Sequence, residues 1–480
     1  MYDRLNTLNK KDLDAIHAGA AQILGRTGMW FESAEARDVF KKHGFKIDDE
    51  RVYFDPGQID AALRLPPAEF DVIAPDPANN IHVGGDCMVY SSSCSSSRIL
   101  DLDGNVRPTD SRDYVASLKL LEMMDAVDFL FEYVISRDLP PEAYLLWNLF
   151  AQMQIMSKPL SCQTVDGIEL LAEFYDTDPE KMRESAGGGL AYGITFINPL
   201  SPLGMSAHES RKLMRCCEAG ISAALAPMSM AGMTAPCTIE GLLIQQNAEI
   251  LGALVLSQLV SPGAPVLYGC LGSTTNMRNM MTPVGAAESR IIEYSAAQMA
   301  RYYNIPSRAI VGMTDSNELD YQAGAESLLN FVHSARGGVN VMTGLGCYAN
   351  WMIASFEKLL LDAESVAYVK RLLRPLDFSE ERAAVDVIQS VGPRGNYITE
   401  DHTVEHFRSE FYETSVFGRQ PYDNYVQDGR ESCRQSANKK IREMLAGFEV
   451  KPLEKSRDKR LRAYCKKFGL GAYMQQDRFL

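Results

Sequence analysis

Across residues 81–373 the chain repeats one unit: a short apolar run, a cluster of Gly, Ser, Thr, Asn or Asp, then a longer segment with apolar residues every three to four positions. A short apolar run followed by that spacing reads as strand, loop, helix. The runs are DCMVYSSSC, VDFLFEYVIS, PLSCQTVD, GGLAYGITFIN, ISAALAPMSMAG, PVLYGCLGSTTN, SRAIVGMTDSNELD and VNVMTGLGCY. Eight such units without a long break predict a (β/α)₈ TIM barrel, whose functional groups stand at the carboxyl ends of the strands. A doubly wound open sheet is the competing fold, but neither GxGxxG nor GxxxxGK[ST] follows any strand. Residues 1–80 read as an N-terminal α/β extension, 81–373 as the barrel, and 374–480 as a charged helical segment packing on it.

The net charge of -14 argues against nucleic acid as a partner, because phosphate neutralisation requires a basic surface. No uninterrupted apolar run approaches the ~20 residues that cross a bilayer. The opening residues MYDRLNTLNKKDLDAIHAG lack the apolar core of a leader, so the expectation is a cytoplasmic protein that does not bind membrane. Its ten cysteines form no CxxC pair and are expected as free thiols. The basic run KSRDKRLRAYCKK reads as a solvated helix face, or as contact with an acidic partner.

The strand ends collect Tyr90, Glu132, Tyr133, Arg137, Gln163, Tyr192, Phe196, Asn198, Met228, Tyr268, Asn276, Arg278, Asp315, Asn317, Tyr348, Asn350 and Trp351. That set is aromatic and amide-rich, with few carboxylates and no histidine. It does not suit hydrolysis or enolisation, which need a base tuned near neutrality. It does suit an organic cation, because aromatic faces attract quaternary ammonium groups. Cys94, Cys162, Cys270 and Cys347 also lie near strand ends; as thiolates they could hold zinc, and as thiols they are small buried apolar residues. His402 and His406 follow the barrel, where a loop could fold across the mouth.

The segments AAQILGRTGMWF, LYGCLGSTTNM, GMTDSNELDYQAGAE, GLGCYANWMIASFEKLLLDAE and HTVEHFRSEF together resemble the trimethylamine methyltransferase family in its non-pyrrolysine branch. The methylamine branch reads an amber codon as pyrrolysine on a late barrel strand, whereas this chain runs through GMTDSNELD with ordinary residues. The resemblance implies a barrel that moves a methyl group from a quaternary amine, such as glycine betaine, proline betaine or carnitine, to Co(I) of a corrinoid. That corrinoid is carried by a separate cognate protein. It also implies no tightly bound cofactor, no metal ligand set, and a homo-oligomer. On that basis Tyr90, Tyr133, Tyr192, Tyr348, Trp351 and Phe356 are expected to cage the ammonium. Arg278, Asn276, Asn317 and Asn350 should meet a carboxylate, with Arg137 in reserve, and Glu132 and Asp315 should favour the cation at the reacting end. Two alternatives stay open: a zinc-thiolate cobalamin-dependent methyltransferase built on Cys270 and Cys347, and a non-catalytic betaine-binding protein.

Overall fold

The computed structural model describes residues 4–92, 94–186 and 189–475. Seven parallel strands pair in one curled sheet: Val89–Ser92, Phe129–Leu130, Ile194–Ile197, Ser222–Leu225, Val266–Cys270, Ser307–Ile310 and Val341–Leu345. The first pairs with the last through Val89 and Val341, which is what a closed ring requires. Ser161 takes the eighth position by a parallel bridge to Ile194, and the ring stays open between it and Leu130. Each of the eight apolar runs therefore supplies one position of a (β/α)₈ barrel.

Five of the intervening helices begin where the sequence places a side-chain cap. Asp110, Ser206, Thr238, Asp320 and Ser355 each accept a hydrogen bond from a backbone N–H of the first helical turn. The helix Ile239–Val260 is apolar almost all round and is long enough to cross a membrane, but 78% of its most apolar window is buried inside the protein. The N-terminal extension covers it: the helix Lys10–Arg26 packs along it, and Met29 presses its sulfur so close to Gly252 that no Cβ would fit.

A hairpin, Glu69–Val72 with Ile81–Gly84, closes the floor of the barrel. Its inward residues Phe70, Val72, Ile81 and Val83 pack with Val89, Phe129, Ile194 and Val341, which open their strands, so the plug sits at the amino ends. The hairpin spans residue 80, where the extension was expected to give way to the barrel. At the other terminus the helix Cys433–Gly447 packs on Phe356–Leu372, and Lys455–Lys466 packs on Gly167–Phe174. The basic run finds its acids within the chain, Arg457 and Arg460 pairing with Asp176 at 2.5 Å. Between these docked helices the chain makes an excursion over residues 374–430, whose helices bury no residue.

Candidate functional site

Strand alternation decides which aromatics can reach the lumen. Val89 faces inward, so its neighbour Tyr90 faces out, buried with Lys370 Nζ 5.0 Å from its ring centroid. Tyr133 is fully buried and donates its hydroxyl hydrogen toward the carbonyls of Gly346 at 3.1 Å and Ser355 at 2.9 Å, while Phe356 stacks on it at 6.0 Å. Tyr192 precedes the Ile194–Ile197 strand, at the floor end, and meets the edge of Tyr175 at 5.4 Å. The expected cage is therefore corrected: Tyr90, Tyr133, Tyr192 and Phe356 bind the helix layer to the barrel wall or lie at its floor. Tyr268 also points outward, its hydroxyl donating to Asn247 Oδ1 at 3.0 Å.

The other expected residues lie at the carboxyl end. After the Val341–Leu345 strand the chain folds back on itself, with Cys347–Tyr348 pairing antiparallel to Ile353–Ser355. In the turn, Ala349, Asn350 and Trp351 hold φ of 52°, 53° and 74° in succession. Left-handed backbone at non-glycine residues costs on the order of 1–3 kcal/mol each and persists where the surroundings enforce it. Here Ala349 N–H donates to Ser316 at 2.8 Å, Asn350 N–H to Thr314 at 3.0 Å, and Ser96 Oγ donates to the Trp351 carbonyl at 3.0 Å. Tyr348 is buried beneath this turn against Leu100 and Ala349.

Asn276, Asp315, Asn317 and Asn350 line one cavity of 450 Å³, with Arg98 as its cation. Arg278 lies outside it, exposed on the loop, its own N–H donating to Asn276 Oδ1 at 3.0 Å; the expectation that it meets a carboxylate is corrected on that geometry. Arg137, the reserve, is exposed as well. Asp315 is engaged rather than free: its two oxygens accept from Val284 N–H at 2.9 Å and Gly285 N–H at 3.0 Å, which fixes the loop that forms the cavity wall. Burial raises its carboxyl above the ordinary range, and the charge of Glu326 adds to that.

Glu132 follows the Phe129–Leu130 strand beside the loop at Cys94 and Ser95, whose N–H groups both donate to its carbonyl. Ser95 Oγ donates to Oε2 at 2.8 Å, and Oε1 makes no hydrogen bond among the described residues. Burial pushes its carboxyl up to about 7, opposed by Ser95 and Tyr144. It is the one expected acid held near neutrality with an open oxygen.

The lumen holds a stack that residue type alone did not reveal. Phe131 and Phe196 lie face to face at 3.8 Å, and the guanidinium carbon of Arg308 stands 4.4 Å from the Phe196 centroid. Gln163 braces the stack, its Oε1 accepting from Phe196 N–H at 3.1 Å and its Nε2 donating to Ser161 Oγ at 2.6 Å. Arg308, inside SRAI, was missed; an arginine within an otherwise apolar strand run was the available signal.

Cys94 and Cys347 lie beside each other, but the four thiols do not gather into one metal set among the described residues. Cys94 meets the Leu345 carbonyl, Cys347 the hydroxyl of Ser96, Cys270 the amide of Gln246, and Cys162 the Thr164 carbonyl. All are buried, and burial pushes Cys270 up to about 12. Among the described residues no three of His, Cys, Asp and Glu gather as a metal requires. His402 and His406 meet edge to face at 4.4 Å, His406 facing Glu381 on the excursion and not the mouth.

The family model described as Trimethylamine methyltransferase (MTTB) matches residues 1–469. The chain is 30% identical to the glycine betaine methyltransferase of Desulfitobacterium hafniense, covering 98% of both chains. It is 29% identical to the proline betaine:corrinoid methyltransferase of Eubacterium limosum, over 96% of this chain and 97% of the relative. Among solved structures the monomethylamine methyltransferase of Methanosarcina barkeri superposes with a TM-score of 0.55 at 11% identity, covering 94% of this chain and 89% of that one, a likeness of fold. Matched almost from end to end, and with ordinary residues throughout, the chain belongs to the trimethylamine methyltransferase family, in its non-pyrrolysine branch.

Proposed function

We propose that the protein transfers a methyl group from a quaternary amine to Co(I) of a corrinoid carried by a separate protein. The observation that carries this reading is the full-length similarity to relatives named for glycine betaine, proline betaine and L-carnitine. In the displacement the Co(I) electron pair forms the new Co–C bond, and the C–N pair stays on nitrogen. The leaving amine is neutral and takes no proton. A site for that reaction needs a cation-holding, partly dry chamber with one methyl aimed outward, not a general acid. Glu132, buried near neutrality with an open oxygen, favours the cationic nitrogen by Coulomb attraction once ionised. Asp315, with Asn276, Asn317, Asn350 and Trp351, shapes the rim through which the corrinoid approaches.

The enzyme works without a tightly bound cofactor, in the cytoplasm and away from membrane and nucleic acid, and as a homo-oligomer. The test is methylation of Co(I), followed by absorbance, with glycine betaine, proline betaine, carnitine and trimethylamine in parallel. Transfer from at least one betaine and none from trimethylamine is the expected result. Substrate binding by calorimetry without any methylation would instead leave a betaine-binding protein, and activity abolished by chelation and restored by zinc would favour the thiolate alternative.

A further inference from the structure

The fully buried lumen of the barrel contains a cation whose hydrogen bonds are incomplete. Arg308 lies on the Ser307–Ile310 strand opposite Val341, only 2% exposed, with its side chain inward. Its Nη2 donates to Thr343 Oγ1 at 2.5 Å, while Nε and Nη1 have no partner among the described residues. Thr343 is two residues beyond Val341 toward the carboxyl end, so the guanidinium reaches up the lumen toward the mouth. No carboxylate lies within ion-pair distance of it among the described residues. Glu293, a carboxylate whose charge acts on it, is paired with Arg290 at 2.7 Å. Burial accordingly pulls the guanidinium down to about 9.

A structural arginine in a core is expected to have its donors met, because a buried charged donor left open costs more than the ~1–3 kcal/mol of a neutral one. An aliphatic side chain would fill the same space at no such cost. The Phe196 ring holds one face of the guanidinium and Thr343 takes one Nη2 hydrogen, which leaves the other Nη2 hydrogen beside one open N–H, that of Nε or of Nη1, and so keeps one edge intact. Such an edge is the paired donor set that a carboxylate accepts.

We propose that Arg308 is the anchor for the substrate's carboxylate, so that the preferred substrate is a quaternary amine bearing a carboxylate a short distance from nitrogen. This rests on the quaternary-amine reading above. The carboxylate lies deep against Arg308, the ammonium lies above it below Glu132, and the methyl to be transferred faces the mouth. No covalent step is added: the anchor fixes orientation and excludes amines of the same cation that end in a hydroxyl.

The test is calorimetric binding of glycine betaine and of choline to the full-length wild type, Arg308→Ala and Arg308→Lys, together with wild-type methylation of Co(I). Loss of glycine betaine affinity on the order of 100-fold in Arg308→Ala, with choline changed less than about 3-fold and Arg308→Lys intermediate for glycine betaine, is the expected result. Equal losses for both ligands, or none for glycine betaine in a folded variant, would overturn the assignment. If Arg308→Ala does not fold, Arg308→Lys and wild-type competition decide: dimethylglycine should displace glycine betaine far better than dimethylaminoethanol, and equal displacement sinks the anchor. Arg308-dependent binding of carboxylates in an enzyme that methylates Co(I) from no amine would remove the reaction and keep the site.

Discussion

Ser95 and Glu132 are joined by a 2.8 Å hydrogen bond that satisfies one carboxylate oxygen and leaves the other, which is buried, without a partner among the described residues. The native protein holds the Glu132 proton up to about 7, against an ordinary 4.5, because burial penalises the charged form. The unfolded chain releases that proton earlier. Burial of Glu132 is therefore without cost below 4.5, destabilises the fold increasingly as pH rises to about 7, and levels off above it. Glu132→Gln should raise the melting temperature at about pH 8 more than at about pH 5.5, with an upper limit of about 3 kcal/mol. The same substitution should lower kcat/KM for a quaternary amine by about tenfold or more, and the wild-type kcat/KM should climb through about pH 7 as the carboxylate forms. A flat pH profile with unchanged Glu132→Gln kinetics would remove Glu132 from the site.

Tyr133 separates packing from substrate contact. Its hydroxyl joins the strand end at Gly346 to the helix start at Ser355, and its ring carries Phe356. Tyr133→Phe removes the one hydroxyl hydrogen that the two carbonyls share, while Gly346 keeps the Ser355 N–H, so about 1 kcal/mol is the expected loss of stability. Denaturant unfolding should register that loss while KM for every amine stays the same. A selective rise in KM with unchanged stability would return Tyr133 to the cage.

The contrast between these residues explains what the sequence could and could not convey. The eight units were legible because each short apolar run gives way to a helical spacing, in five of them through a capping residue: Asp110, Ser206, Thr238, Asp320 and Ser355. The facing of each side chain was not. Parallel strands are buried on both faces, so inner Val89 and outer Tyr90 are both buried residues, and no polar alternation marks which one enters the lumen. Asn276, Asp315, Asn317 and Asn350 could be grouped because loop residues at carboxyl ends converge whatever their parity. Arg308 could not: its significance lies in the donors it leaves open, which only coordinates reveal. The floor hairpin was not legible, because its role as a plug depends on strands far along the chain.

The excursion over 374–430 bears on assembly. Phe378 is 83% exposed and Phe411 70%, with Leu376, Ile398, Val404 and Tyr422 exposed nearby, more apolar surface than a free monomer carries without consequence. The segment leaves the barrel at its floor. The helix Phe356–Leu372 starts at the mouth and ends where Lys370 meets the Ala126 carbonyl and Asp128, just before the Phe129–Leu130 strand. Arg371 and Arg374 then tie the excursion there through Glu410 and Ser409. A corrinoid protein must dock at the mouth to receive a methyl group, so the floor side is free for a second copy of this chain. Phe378→Asp combined with Phe411→Asp should therefore shift the mass in light scattering from oligomer to monomer, with kcat for Co(I) methylation within about twofold of wild type, since surface changes away from the site leave it intact. A wild type already monomeric at micromolar concentration would rule out the assembly, and an unchanged oligomer in the double variant would move its interface elsewhere.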